Sequence, residues 1–271
     1  VLHAVAGNAS LRRALAGYLC FATAEFGVWV AILFYGYKVD GAKGAAVAAL
    51  VQLIPATIFA PIGSALVDQM RPDRALALGF IAQAATMLLT AGAMVVDAPV
   101  WVVYACASLA ACAVTLTRPV FGTLVLALSR TAGELTAANA VTAWVEGMGV
   151  FAGPMLAGVL IASSGPGMVF AVLGAAVLAA ALLVLTGEAP DKRVTESSTS
   201  DSGAGLVGDL VAGFREARSE PGAILLLCLV GGQFAITGML DVLVIGLALE
   251  SLNTDPSGPG VLIAGFGVGG L

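Results

Sequence analysis

The stretch AVTLTRPVFGTLV, residues 113–125, sets an arginine and a proline inside an apolar run. Arg118 is the only charged residue between Asp97 and Arg130. In a soluble core such a guanidinium is out of place. In a bilayer it is expensive: a lone charge at the centre of a spanning helix costs about 2.5–3.5 kcal/mol even on the mild insertion scale. Which of these settings applies, and what offsets the cost, decides the fold.

The rest of the chain answers for the membrane. Of its 271 residues, 59% are hydrophobic and 11% charged, where a soluble domain carries about 25% charged residues. The charges are also missing in blocks. Gly44–Val67, Ala75–Val96 and Pro256–Leu271 hold none. Ala14–Tyr37 holds only Glu25, Ala98–Ser129 only Arg118, Ala137–Gly187 only Glu146 and Pro221–Leu249 only Asp241. About 20 apolar residues cross the hydrocarbon core as a helix. Strands of a membrane barrel are about 10 residues long and alternate in polarity, which these blocks do not. The sequence predicts spans near 14–37, 44–67, 75–97, 99–128, 137–162, 167–187 and 222–250, and an eighth that begins near 258 and is cut short. The chain starts at Val1 and stops inside an apolar run, so a longer protein lacking its C-terminal part here is expected.

Loops set the expected orientation. With the N-terminus inside, Arg12, Arg13, Arg71, Arg74, Arg130, Lys192, Arg193, Arg215 and Arg218 are cytoplasmic, and only Lys38 and Lys43 are outside. Basic residues favour the inner side. Ser163-Ser164-Gly165-Pro166-Gly167 reads as the turn between the fifth and sixth spans. Thr131 and Glu134 have the spacing of a capping box, which predicts a short surface helix before the fifth span. Residues 188–220 open with the polar EAPDKRVTESSTSDSGAG, a linker by composition. They continue in LVGDLVAGFREARSEP, whose apolar spacing fits an amphipathic helix on the inner surface. The domains are thus an N-terminal six-span bundle over 1–187, a cytoplasmic linker over 188–220, and the start of a second bundle over 221–271. A shift of 216 residues lays Glu25 on Asp241 and Gly44 on Gly260, a faint internal repeat of the sort that transporters use.

The scarce ionisable residues are the candidates for chemistry. Arg118 lies 11 residues before Ser129, and Glu146 lies 10 after Thr136. At 1.5 Å per residue both are roughly 15–17 Å from the inner ends of consecutive spans. Arg118 and Glu146 are therefore expected to meet, either as a structural bridge or as part of a pathway. Glu25, at similar depth in the first span, has no evident partner in the sequence. It suits proton or substrate coupling, as does Asp241 in the second half, with packing against a polar neighbour as the rival. Pro119 and the glycine-rich GMGVFAGPMLAG, with Gly149, Gly153, Pro154 and Gly158, combine helix bends with close helix approach. Four cysteines lie inside apolar runs without metal-ligand spacing, and the one histidine is His3. No metal site and no cofactor is expected. GFGVGGL near the end is glycine-rich, but no strand precedes it, so it reads as helix packing.

Three stretches carry a family resemblance. PIGSALVDQMRPDR, between the second and third spans, resembles the signature loop of the major facilitator superfamily, roughly G-x-x-x-D-R-x-G-R-R. Asp68 takes the acidic place, and Arg71 and Arg74 the basic end. Gln69 stands where arginine is usual, and Pro72-Asp73 interrupts the basic cluster. GMGVFAGPMLAG is similar to the fifth-span motif of drug–proton antiporters, with Ala157 in place of one usual glycine. LTRPVFG with ELTAANAV resembles a bacterial branch of exporters.

The resemblance implies an all-α polytopic fold: the N-terminal six-helix bundle, a central linker and the start of a second bundle of a twelve-span protein. It implies a multi-pass protein of the bacterial inner membrane. It further implies alternating access, a small-molecule substrate, protons as partner and a single chain as the transport unit. Asp68, Arg71 and Arg74 are expected to latch helix ends, or else to form a solvated turn that fixes topology. No nucleic-acid partner is expected, and no enzyme chemistry, because the chain holds no nucleophile–base set, phosphate loop or metal spacing. Proton-coupled export of small amphipathic molecules is the leading expectation. A membrane sensor that keeps the fold without transport, and an importer, are the alternatives.

Overall fold

A computed structural model of the chain describes residues 7–67, 70–186, 215 and 221–270. Among these the regular structure is entirely helical. The first helical segment, Ala9–Val67, contains a break at Asp40 and Gly41, which divides it into two arms, α1 (9–39) and α2 (42–67). Gly41 has φ 57°, a left-handed conformation that glycine adopts without strain. On either side of the break, Gly36 and Gly44 bring the two arms into direct backbone contact. Then follow α3 (Pro72–Val95), α4 (Val100–Leu128), α5 (Ala132–Ser164), α6 (Pro166–Leu185), α7 (Pro221–Gly246, continued as a π-helical turn over Leu247–Ser251) and α8 (Gly258–Gly270).

Six of these segments are long and apolar enough to cross a membrane, the first of them, Ala9–Gly63, being the hairpin of two arms. The outward faces agree with that setting. Leu50, Ile58, Trp101, Val159 and Leu182 are all more than half exposed. In water such a surface would drive aggregation, whereas against lipid tails it is matched. Inside, the helices meet through small residues and a few large rings. Ala22, Ala24, Ala84, Ala107, Ala138, Ala180 and Ala181 are buried, around Phe21, Phe80 and Phe170. Lipid-embedded helices gain little by hiding leucine from lipid, so close packing of small residues holds them together.

The helix boundaries follow local chemistry. Asn8 caps α1, its Oδ1 accepting from Leu11 N–H at 3.2 Å. Thr131 caps α5 by accepting from Glu134 N–H at 3.1 Å. The expected short surface helix before the fifth span is not separate; it is the first turn of the continuous α5. Its Glu134 is buried: one carboxylate oxygen accepts from Arg130 N–H at 2.7 Å and the other from Asn8 Nδ2 at 3.0 Å. Asn8 Nδ2 also donates to the Leu128 carbonyl at 3.0 Å. The start of α1 is thereby stitched to the turn between α4 and α5.

α5 lies between α1 and α8. A β-carbon on Gly149 would stand 2.7 Å from Ala22 Cβ, and one on Gly153 would stand 2.5 Å from the Thr23 carbonyl oxygen. Toward α8, one on Gly158 would stand 2.7 Å from the Ser257 carbonyl oxygen. Gly260 in turn packs directly on the Pro154 carbonyl. Among the described residues, α7 is attached at one end only. No residue between 222 and 243 is buried, while Val244, Ile245 and Ala248 are. Ile245 packs with Leu33 of α1 and Ala49 of α2. The linker with its amphipathic segment lies outside the described residues, Arg215 apart.

Candidate substrate cavity and ion-pair network

On α1, Tyr18, Glu25 and Trp29 are separated by seven and four residues, so they share one helical face. That face meets α4 and α5. Arg118 of α4 donates through Nη1 to Glu146 Oε1 and through Nη2 to Glu25 Oε2, both at 2.8 Å. Arg118 and Glu146 do meet. Glu25 is not without a partner, as the sequence alone had it: the guanidinium fork reaches two carboxylates at once. The Tyr18 hydroxyl donates to Glu146 Oε1 at 2.6 Å. Its ring stacks on Phe121 of α4, with centroids 3.9 Å apart. The expense of a charge in the bilayer is thus offset by a network that joins α1, α4 and α5. The side chains of Arg118, Glu25 and Glu146 keep 41%, 23% and 38% exposure. The network is therefore only partly enclosed by the described helices.

Glu25 also lines a cavity of about 480 Å³, within the range of small-molecule sites. Its walls come from α1 to α5, α7 and α8. They are mainly apolar, with Phe26, Trp29, Leu53, Met87 and Phe266 among them. Glu25, Gln52, Gln83, Thr115, Thr237 and Asp241 supply polarity. Asp241 accepts from Trp29 Nε1 at 2.9 Å. Two carboxylates from opposite ends of the chain therefore share this cavity, while Arg118 and Glu146 stand beside Glu25 rather than in the wall. Near the α1–α2 break, Tyr37 donates to Glu250 at 2.6 Å. Together with Trp29 this fastens the end of α7 to α1.

The other sequence candidates divide. α4 runs without interruption through Pro119, and α5 through Pro154; Pro154 lines the cavity. Gly149 and Gly153 face α1, and Gly158 faces α8. Asp68 lies outside the described residues. Arg71 pairs with Asp73 of its own turn, Nε to Oδ1 at 3.3 Å, and Arg74 is exposed. Among the described residues neither joins another helix. Tyr18, Trp29, Gln52 and Gln83 were not singled out by reading for charge. The signal for the first two was the helical spacing from Glu25. The glutamines carried only their polarity in apolar runs.

A membrane-crossing bundle around an apolar cavity with carboxylates at its wall has the architecture of a solute transporter. The profile of the Major Facilitator Superfamily matches residues 14–271, and the chain belongs to that family of membrane transporters. Comparison with curated proteins gives no match.

Proposed function

We propose that the chain is the working core of a proton-coupled exporter of small amphipathic molecules in the bacterial inner membrane, its N-terminus in the cytoplasm. One observation carries the reading: Glu25 at once lines the apolar cavity and holds one arm of Arg118. Protonating Glu25 removes that ion pair and leaves Arg118 to Glu146 alone. The α1–α4 contact then differs between the two protonation states, which is what a proton needs in order to bias a two-state transporter. With the N-terminus inside, the bonds from Trp29 and Tyr37 to α7 lie toward the outer side in this reading. The apolar walls favour an amphipathic substrate over a sugar or a phosphate ester. The bias of arginines toward one side supports the orientation. Asp68, Arg71 and Arg74 form the cytoplasmic gating loop in this reading.

The test uses full-length protein in liposomes with an imposed pH gradient and ethidium as the transported probe. Wild type moves ethidium against its gradient. Glu25→Gln, which keeps the shape and an acceptor for Arg118, equilibrates ethidium without concentrating it. Undiminished uphill transport in Glu25→Gln would remove Glu25 from the coupling.

A further inference from the structure

The cavity wall holds a polar group that the described residues do not satisfy. Gln83 of α3 is 1% exposed, lines the cavity, and has an amide oxygen without a hydrogen-bond partner. Buried polar groups are nearly always paired, and an unpaired one lowers stability. The neighbouring glutamine in the same wall behaves differently: Gln52 Nε2 donates to the Ala107 carbonyl at 3.4 Å. Packing alone gives α3 no reason to keep an amide here, since methionine has nearly the same length and no polar atom. The last torsion of a glutamine is broad, so a turn about it can bring the oxygen to the cavity that Gln83 lines.

The same cavity is short of positive charge. Arg118 serves two carboxylates, Glu25 and Glu146. Asp241 has the Trp29 N–H, and among the described residues no Lys or Arg stands within 4.0 Å of it. Phe26, Trp29 and Phe266 add aromatic rings to the wall, and ring faces attract cations.

We propose that Gln83 is the specificity-determining residue of the cavity: its amide oxygen accepts from an N–H or O–H of an aromatic organic cation whose charge is met by Asp241. The inference rests on the cavity being the substrate site. It makes the unpaired amide a group held ready for the ligand, and it predicts discrimination against cations that have nothing to donate. A site built to bond a polar group rejects an analogue lacking it far more strongly than an apolar wall can.

The experiment measures equilibrium binding to the purified full-length chain in detergent, without a gradient. Its probes are ethidium, a cation with two amino groups, and tetraphenylphosphonium, a cation with no donor. Wild type prefers ethidium. Gln83→Met weakens ethidium by about tenfold or more and leaves tetraphenylphosphonium within about twofold. Gln83→Met also raises the thermal unfolding midpoint of the ligand-free protein, whereas Gln52→Met, which loses a bond within the protein, lowers it. Three results would overturn the proposal: equal loss of both probes in Gln83→Met, unchanged ethidium binding in that variant, or failure of wild type to bind either cation. Its failure is separable from that of the transport reading. Gln83-dependent binding without proton-driven flux removes the transport reading alone. Glu25-dependent flux without Gln83-dependent preference removes this inference alone.

Discussion

Tyr18 and Arg118 set a hydroxyl and a guanidinium on the same oxygen of Glu146, at 2.6 and 2.8 Å. Three helices meet at that atom. The second arm of Arg118 is fixed as well, on Glu25, so the guanidinium is clamped between α1 and α5 while both carboxylates are ionised.

This shared grip changes what a charge swap does. Exchanging Arg118→Glu with Glu146→Arg restores that pair but faces Glu25 with a new carboxylate. The double variant is therefore expected to unfold at a lower temperature than wild type in detergent, and to recover that midpoint, though not uphill transport, when Glu25→Gln is added. Arg118→Lys is expected to lose most activity, because an ammonium lacks the planar fork that spans two acids. Arg118→Ala, which leaves two neighbouring carboxylates, is expected to lower stability by about 1–3 kcal/mol, read as thermal unfolding in detergent. Full recovery in the plain double swap would show that Glu25 is outside the network.

The glycines predict opposite signs at two positions. Gly153→Ala places a β-carbon against the Thr23 carbonyl and the Gly27 backbone, which cannot yield as a side chain does. It is expected to destabilise by about 1–3 kcal/mol. Gly92→Ala meets nothing within 4 Å and sits inside α3, so it is expected to be neutral or to stabilise by up to about 1 kcal/mol. Thermal unfolding of the two single variants decides it.

Asn8→Ala removes a cap and two cross-links at once. A loss of about 1–2 kcal/mol is expected, larger than exposed polar residues give. Asn8→Asp keeps the cap acceptor but sets a carboxylate against Glu134, so it is expected to be worse than an ordinary isostere. Unfolding midpoints of both variants check the order.

Trp29→Phe with Tyr37→Phe cuts both of these side-chain bonds from α1 to α7 while keeping an aromatic ring at each position. The end of α7 should then open more often. An Ile245→Cys reporter, at a position fully buried in the resting arrangement, is expected to react with a maleimide several-fold faster in the double variant. An unchanged rate would mean that apolar packing of Ile245 with Leu33 and Ala49 holds the junction alone.

Much of this was legible in the sequence because the bilayer imposes a coarse filter. Blocks without charge gave the helices to within a few residues, and equal depth along adjoining spans brought Arg118 to Glu146. What stayed hidden depends on azimuth rather than depth. Glu25 and Arg118 are 93 residues apart, and no loop length says which faces of α1 and α4 turn to each other. Gln83 was hidden for another reason. An amide carries no formal charge, so a reading built on charges passes over it, and only the walls of the cavity reveal that its oxygen is unpaired. The expected surface helix merges into α5, and its Glu134 is held by the distant Asn8, 126 residues away, a contact that no local spacing announces.

The strip of glycine along α5 has a mechanical consequence. Where main chain rests on main chain, there is no intervening side chain whose rotamer could flip to absorb displacement. α5 is left with two freedoms against α1 and α8: to slide lengthwise or to roll. In the proposed transport cycle it would serve as the pin of a hinge, with peptide units and small side chains as its bearing surfaces.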